Sequence, residues 1–268
     1  MHTELPIDIL PKKVVSLVPS MTETMFELGL GQWLVGCTEY CVYPREAVSH
    51  LPKLGGPKSL NTRLIIDLKP ELIIANQEEN RIEEIDILIE QGITVWGAYP
   101  TSVRDAMDDM WGLAGLFQSD HAARIIRSLE DSLDWLNASM AEASQRSYFC
   151  PIWKDTSESG GAQWMTFNQN TYMNDLLYLF GGVNVFSNNE LENTKNEKQK
   201  RYPIVDVDQI VESHPEFIIL PDDPYQFNSS DENELIDYFM VRQIKPLPKI
   251  IRLEGSLTCG MGPAWQRR

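Results

Sequence analysis

The chain has 268 residues, of which 43% are hydrophobic and 23% are charged, and its formal net charge is −16 at pH 7. This length and composition are typical of a globular protein with enough apolar side chains for two cores. The acidic balance excludes a protein that binds nucleic acid through its phosphates, and no apolar run is long enough to cross a membrane.

Strands and helices alternate in the first hundred residues. Short apolar runs predict strands at 13–19, 33–37, 71–75 and 93–96, and amphipathic segments predict helices at 20–28, 64–68 and 81–91. Ser20 and Glu23 have the spacing of a capping box at the start of the first helix. This alternation indicates a parallel α/β sheet.

A single long helix is predicted at residues 119–145, with Ser119 as its N-cap. Neither Gly nor Pro interrupts it, and at 1.5 Å per residue it would be about 40 Å long. Its apolar positions recur at helical spacing and predict one buried stripe: Ala122, Ile125, Ile126, Leu129, Leu133, Leu136, Met140 and Ala143.

The same pattern returns after this helix. Strands are predicted at 148–153, 216–220 and 249–253, and helices at 172–180, 207–212 and 231–241. The segment IIDLKPELIIA at 65–75 matches IVESHPEFIIL at 210–220 position for position, which indicates two lobes of one plan. We therefore divide the chain into an N-terminal α/β lobe (1–100), a helical region (101–146) with the backbone helix at 119–146, and a C-terminal α/β lobe (147–268).

Aromatic and polar residues recur in the loops that follow the predicted strands. Because the carboxyl ends of parallel strands share one edge of a sheet, we expect these loops to face a cleft between the lobes. An aromatic-lined cleft with few charges suits a large, flat, partly apolar ligand, although each aromatic taken singly is more often a packing residue. The ligand-binding candidates are Ser20, Tyr40, Tyr43, Lys58, Asn76, Trp96, Tyr99, Trp153, Trp164, Phe167, Tyr172 and Tyr202.

Motifs of catalysis are missing from the sequence. It has no G-x-S-x-G elbow, H-E-x-x-H helix, phosphate-binding P-loop or dinucleotide fingerprint. We therefore predict a protein that is not an enzyme and has no catalytic residue, intrinsic cofactor or metal-ligand set. An enzyme using the cleft would need a titratable pair, and His50 with Lys58 is the best candidate. His50 is also the candidate for ligation of a bound metal.

Acidic residues cluster at equivalent places in the two halves. Glu79 and Glu83 follow a strand of the first lobe, and Glu232 and Glu234 follow a strand of the second. Acids at helix N-termini complement the helix dipole, which alone accounts for such clusters. The alternative is a two-point docking surface for a basic partner.

Five segments resemble, in order and spacing, the cobalamin-type and siderophore-type substrate-binding proteins of ABC importers, the helical-backbone metal receptors. These segments are VVSLVPSMTETMFELGLG, VGCTEYCVYP, LPKLGGPKSLN, LKPELIIANQEEN and GITVW. The resemblance implies two Rossmann-like lobes joined by one long rigid helix, with a metal chelate such as a corrinoid, haem or ferric siderophore between them.

The resemblance also implies roles for individual residues. Tyr40, Tyr43, Trp96 and Tyr202 fall where cobalamin binders have pocket aromatics. One glutamate of each lobe would pair with arginines of the permease, namely Glu79 or Glu83 and Glu232 or Glu234.

Two functional hypotheses follow. The first is a monomeric binding protein that captures a metal chelate, with a corrinoid favoured, for an ABC permease. The second is a cytosolic corrinoid- or small-molecule-binding protein on the same fold without a permease.

The location of the chain stays open at this stage. The N-terminus lacks the features of a secretory signal, so the chain is cytoplasmic if Met1 is the native start and periplasmic or extracytoplasmic if a signal was removed. For the four cysteines we expect buried free thiols, and whether Cys37 and Cys41 form a disulfide stays open.

Overall fold

A computed structural model of the chain describes residues 10–157, 160–190, 199–222 and 225–253. These residues divide into two compact units. Unit 1 holds residues 10–100 and 104–132, and unit 2 holds residues 101–103 and the described residues from 133 to 253.

Unit 1 is built on a parallel sheet. The elements of the first half of the chain are β1 (Val14–Ser16), α1 (Pro19–Glu27), β2 (Leu34–Cys37), α2 (Arg45–Ser49), β3 (Gly55–Gly56), β4 (Ser59–Leu60), α3 (Thr62–Leu68), β5 (Leu72–Ala75), α4 (Ile82–Glu90), β6 (Thr94–Gly97), α5 (Val103–Leu116) and α6 (Asp120–Met140). The sheet has the order β2-β1-β5-β6 with all neighbours parallel, while β3 and β4 form an antiparallel pair. Apolar side chains of β1, β5, α3 and α4 form its core, as the predicted strand and helix patterns require.

Unit 2 contains a parallel sheet and a second, antiparallel one. Its elements are β7 (Arg146–Phe149), β8 (Trp153–Thr156), β9 (Ala162–Met165), α7 (Tyr172–Leu179), β10 (Gly182–Asn184), β11 (Ile204–Asp206), α8 (Val207–Glu212), β12 (Phe217–Pro221), α9 (Ser229–Val241) and β13 (Lys249–Leu253). The parallel sheet has the order β10-β7-β12-β13, and the antiparallel sheet has the order β11-β9-β8. The predicted α/β class with parallel sheets is confirmed, whereas the antiparallel sheet was not predicted.

The internal repeat extends to backbone detail. In each parallel sheet the second strand lies beside the first, and the third and fourth follow on the other side. Lys69 and His214 occupy matched positions, and both have left-handed backbones with φ of 54° and 46°. The next N–H groups also match, since Glu71 donates to the Lys13 carbonyl and Glu216 to the Ser147 carbonyl. The parallel sheets of the two units therefore share one strand order and one turn geometry.

The long helix is shorter than predicted. It spans 21 residues, or roughly 31 Å, and the Ser119 hydroxyl accepts a hydrogen bond from the Ala122 N–H at 3.1 Å, as expected of an N-cap. Ala122, Ile126 and Leu129 are buried, but the apolar positions beyond them are partly or fully exposed. The division between units 1 and 2 falls within this helix.

The predicted capping box at Ser20 is wrong. α1 begins with Pro19 after the extended residue Val18, and no side chain caps this end. Proline suits the first helical position because it has no N–H to satisfy there and its φ is already helical. Ser20 therefore lies inside the first turn rather than before it.

Candidate functional site

Exposed tyrosines lie in the loop after β2, at the carboxyl edge of the unit 1 sheet. Tyr40 is 64% exposed and Tyr43 is 39% exposed. A Cβ added to Gly56 would lie 3.4 Å from the Tyr40 ring, so this ring rests on the β3–β4 hairpin. The Arg45 guanidinium lies 5.6 Å from the Tyr43 ring centroid, a cation–π distance. This loop offers aromatic surface for stacking.

The β3–β4 hairpin is fixed beside this loop by backbone contacts. The Glu39 N–H donates to the Gly55 carbonyl at 3.0 Å, and the Asn80 side-chain amide donates to the Pro57 carbonyl at 3.1 Å. Lys58, in the turn of the hairpin, is exposed. The structure thus places Tyr40 and the hairpin that carries Lys58 on one side of unit 1.

Asn76 has a structural role in the loop after β5. Its Oδ1 accepts hydrogen bonds from the N–H groups of Glu78 (2.7 Å) and Glu79 (3.3 Å), and the residue is buried. This Asx turn directs Glu78 toward Tyr99, whose hydroxyl donates to Glu78 Oε1 at 2.7 Å. Asn76 therefore shapes the loop, and its side-chain oxygen already accepts two backbone hydrogen bonds.

Ser20 is buried, and its hydroxyl oxygen has no hydrogen-bond partner among the described residues. Because a buried unpaired hydroxyl costs free energy, such a group usually has a role beyond packing. Ser20 stays a ligand-binding candidate.

Three predicted ligand-binding aromatics are core residues instead. Trp96 is 1% exposed, Trp164 is 0% exposed and Phe167 is 1% exposed. Trp164 stacks on Phe227 with a centroid distance of 6.0 Å. Burial shows that these side chains pack inside their units, because a strand-end aromatic can point into the core as readily as into a loop; their ligand-binding role stays a prediction.

In unit 2 the predicted candidate Trp153 pairs with Tyr225, a half-buried aromatic that was not among the candidates from the sequence. Trp153 is 45% exposed and contacts Tyr225 edge-on, with ring centroids 5.5 Å apart. The ring centroids of Tyr225 and Phe227 are 4.6 Å apart. Tyr225 lies in the loop after β12, so the pair lies beside the carboxyl edge of the unit 2 sheet. The sequence signal that could have indicated Tyr225 is the pair of aromatics, Tyr225 and Phe227, just before Asn228, the N-cap of α9.

The other two unit 2 candidates, Tyr172 and Tyr202, are partly buried. Burial, with a smaller contribution from Asp175, raises the pKa of the Tyr172 phenol to about 12, so this hydroxyl is a neutral donor at physiological pH. Tyr202 packs on the cluster that contains Tyr148 and Phe167.

Lys154 organises a partly buried ion network in unit 2. Its ammonium lies 2.9 Å from Asp231 Oδ1 and 2.5 Å from Glu234 Oε2, and 5.0 Å from the Trp164 ring centroid. Burial alone would lower the pKa of Lys154, but the hydrogen bonds with Glu234 and Asp231 outweigh it and raise the pKa. The Tyr238 hydroxyl also donates to Glu234. Glu234 is therefore committed inside its own unit.

The remaining docking candidates differ in availability. Glu83 is exposed in the first turn of α4. Glu232 pairs with the exposed Arg252 at 2.7 Å, an interaction that water weakens. Glu79 is half-buried in the turn that Asn76 shapes.

Within the described part of the chain, no group of three or more His, Cys, Asp or Glu side chains could hold a metal ion. No helix there is both long and apolar enough to span a membrane. His50 is exposed. The free, buried thiols expected from the sequence are confirmed for Cys37, Cys41 and Cys150, whereas Cys259 lies outside the described residues.

Each of the two α/β units carries aromatic side chains at the carboxyl edge of its parallel sheet, which is the edge where α/β proteins bind ligands. The chain belongs to the periplasmic binding protein family, whose model matches residues 14–244. The resemblance inferred from the sequence is thereby confirmed.

Curated relatives of the chain include two vitamin B12-binding proteins. That of Photorhabdus laumondii is 26% identical over 254 residues, which cover 94% of this chain and 83% of that protein. That of Vibrio vulnificus strain CMCP6 is 27% identical over 221 residues, which cover 81% of this chain and 74% of that protein.

Solved structures share the fold. The periplasmic vitamin B12 binding protein BtuF of Vibrio cholerae has a TM-score of 0.73 at 22% identity, covering 95% of this chain and 92% of that one. The periplasmic heme-binding protein RhuT of Roseiflexus sp. RS-1 has a TM-score of 0.67 at 18% identity, covering 94% and 92%.

Proposed function

We propose that this protein captures a metal chelate outside the cytoplasm, with a corrinoid as the favoured ligand and haem or a ferric siderophore next, and delivers it to an ABC permease. The observation that carries the proposal is the exposed Tyr40–Tyr43 loop at the carboxyl edge of the unit 1 sheet. Its surface suits a broad macrocycle, and the names of the relatives, vitamin B12-binding and heme-binding, favour the same ligand class.

The energetics of such a site come from stacking and apolar burial. An aromatic ring that stacks on a ligand contributes about 0.5–1.5 kcal/mol beyond the area that it buries. One edge of the Tyr40 ring rests against the β3–β4 hairpin, and this contact reduces the rotamer entropy that is lost on binding. In unit 2, Trp153 and Tyr225 would supply further aromatic contacts. A ligand site between the lobes stays a prediction from the sequence.

The first test is titration of the purified protein with cyanocobalamin, haemin and a ferric siderophore, followed by tryptophan fluorescence and the visible spectrum of each ligand. Saturable binding of one of them supports the ligand class. If none of the three binds, the proposal of a metal-chelate ligand is wrong, although the family assignment stands.

The Tyr40→Ala variant tests whether Tyr40 contacts the ligand. We expect the dissociation constant of the ligand for this variant to be roughly tenfold higher than for the parent protein, because the stacking surface and its buried area are lost. Tyr178→Ala is the matched control, since Tyr178 is 56% exposed but lies near the end of α7 that leads to the amino edge of the sheet. Equal affinities of the two variants would remove Tyr40 from the site.

Delivery to a permease is tested separately from binding. We propose Glu83 and Glu232 as the docking carboxylates, since Glu234 is held by Lys154. Glu83→Ala with Glu232→Ala should leave ligand affinity unchanged and reduce uptake in cells that carry the cognate permease. Undiminished uptake would discard this docking assignment.

A further inference from the structure

Two buried thiols meet at the end of β2. Cys37 is the last residue of this strand, and Cys41 follows in a turn closed by the Cys41 N–H, which donates to the Thr38 carbonyl at 3.2 Å. The two side chains are 0% and 1% exposed and belong to one buried cluster with Val48. The turn therefore places the two thiols side by side.

Polar groups of neighbouring segments converge on this pair. Lys53 Nζ lies 3.3 Å from Cys37 Sγ and 2.8 Å from the Cys41 carbonyl oxygen. Hydroxyl oxygens of Thr22 and Thr38 lie 3.1 Å and 3.2 Å from Cys41 Sγ. Backbone hydrogen bonds of residues 52 and 54 with Cys37 fix the segment that carries the lysine.

These contacts distribute charge unequally between the thiols. The hydrogen bond from Cys37, joined by those of Thr22 and Thr38, lowers the pKa of Cys41 to about 6 although burial opposes it. The same hydrogen bond, with burial, raises the pKa of Cys37. At neutral pH the pair therefore carries its negative charge mainly on Cys41, while the Lys53 ammonium lies beside the Cys37 sulfur.

We propose that Cys37 and Cys41 are a redox-convertible dithiol that a small-molecule disulfide oxidises to a Cys37–Cys41 bridge. Cys41 is buried, but its two chain neighbours Tyr40 and Val42 are 64% and 52% exposed, so a small displacement of this loop would expose the Cys41 thiol. A bridge would tie the loop that carries Tyr40 and Tyr43 to the end of β2.

The exchange takes place in two steps. The Cys41 thiolate attacks one sulfur of the external disulfide, forms a mixed disulfide and releases the other half as a thiolate, which takes up the proton of Cys37. The Cys37 thiolate then attacks Cys41 Sγ and displaces the second half, which takes up a proton from water. The protein loses two electrons, and one external disulfide becomes two thiols.

The contacts of the reduced pair predict where this equilibrium lies. The Thr22 and Thr38 hydroxyls stabilise a thiolate on Cys41, and the Lys53 ammonium stabilises negative charge on the adjacent Cys37 sulfur. A neutral disulfide interacts with all three groups more weakly. The reduced form is therefore favoured, which makes the bridge a comparatively good oxidant. Removing the lysine charge should favour the bridge.

The test is equilibration in buffers of reduced and oxidised glutathione, in a Cys259→Ser background that removes the thiol outside the described residues. After acid quenching and alkylation, tryptic mapping follows residues 14–45, which hold both thiols, and residues 147–154, which hold Cys150. We expect the first peptide to lose two hydrogens and resist alkylation as oxidised glutathione increases, while Cys150 stays alkylatable.

Variants test the two thiols and the lysine charge separately. Cys37→Ser and Cys41→Ser should each abolish the bridge. Lys53→Met should raise the equilibrium constant for oxidation roughly tenfold, and Lys53→Arg, which keeps the charge, should stay near the parent value. The proposal is overturned if both thiols stay alkylatable at every ratio once successive time points agree, or if glutathione stays attached to Cys41. It is also overturned if Lys53→Met leaves the equilibrium unchanged.

Discussion

Asp109 of α5 should make the protein less stable as the pH rises through the neutral range. Its Oδ2 atom is buried without a partner among the described residues. Burial, followed by repulsion from Asp105 and Asp108, raises its pKa from 3.8 to about 7. In the unfolded chain the group ionises near pH 4, so between roughly pH 4 and 7 the folded state binds the extra proton. Stability that is present below this window is lost as the pH rises through it.

The magnitude follows from the size of the shift. Three pKa units correspond to about 4 kcal/mol, and partial exposure of the carboxyl reduces this to roughly 2–4 kcal/mol. Asp109→Asn has the shape of the protonated acid without its titration. We expect the free energy of unfolding of the variant to equal that of the parent near pH 4 and to exceed it by that amount at pH 8.

The assay is urea unfolding at pH 4, 6 and 8, followed by tryptophan fluorescence and by amide exchange of α5. Asp86→Asn is the matched control, because this aspartate is exposed on α4 and does not contribute to the pKa shift of Asp109; it should change stability by less than about 0.5 kcal/mol. A difference between parent and Asp109→Asn that does not vary with pH would refute the reasoning, as would a carboxyl titration of Asp109 near pH 4 by NMR.

Three further predictions concern packing and backbone strain. Lys154→Met should lower the free energy of unfolding by roughly 3 kcal/mol, because it leaves the buried carboxylate of Asp231 without its cation; urea melts measure this, and a loss below about 1 kcal/mol contradicts it. Gln243 (φ 57°) and Gly92 (φ 78°) both follow helices and have left-handed backbones, which favour glycine. Gln243→Gly should therefore stabilise the protein by about 0.5–1 kcal/mol, and Gly92→Gln should destabilise it by about 1 kcal/mol. Thermal melts measure both changes, and stability changes in the same direction would refute this reasoning. Trp96→Ala should cost about 3–5 kcal/mol of stability, because it opens a cavity in the core; an unchanged melting temperature would instead support a ligand-facing indole.

The elements of the parallel sheets were predictable because their signals are local. An apolar run such as 71–75 between turn residues predicts a strand that is covered on both faces. The match between 65–75 and 210–220 predicts a second strand of the same kind. The family resemblance also rests on contiguous segments. The observed start of a helix differs from the predicted one where two residues could begin it. α1, for example, begins with Pro19 and is not capped by Ser20.

The exposure of the predicted site residues could not be read from the sequence, because exposure is a property of the whole packed unit. Tyr40 lies in the loop after β2 and Trp164 lies within β9, and the first is 64% exposed while the second is fully buried. The sequence patterns did not predict β9. The burial of Trp164 depends on contacts with distant segments, such as the stacked ring of Phe227 more than sixty residues downstream.

The sequence by itself determined the fold class, the internal repeat and the family, since each depends on periodicity and spacing along the chain. Tertiary structure decided which aromatics face solvent, that Lys154 holds Glu234, and that Cys37, Cys41 and Lys53 meet. These outcomes depend on contacts between distant segments, and their free energies come from burial and charge pairing that exist only after the chain has folded.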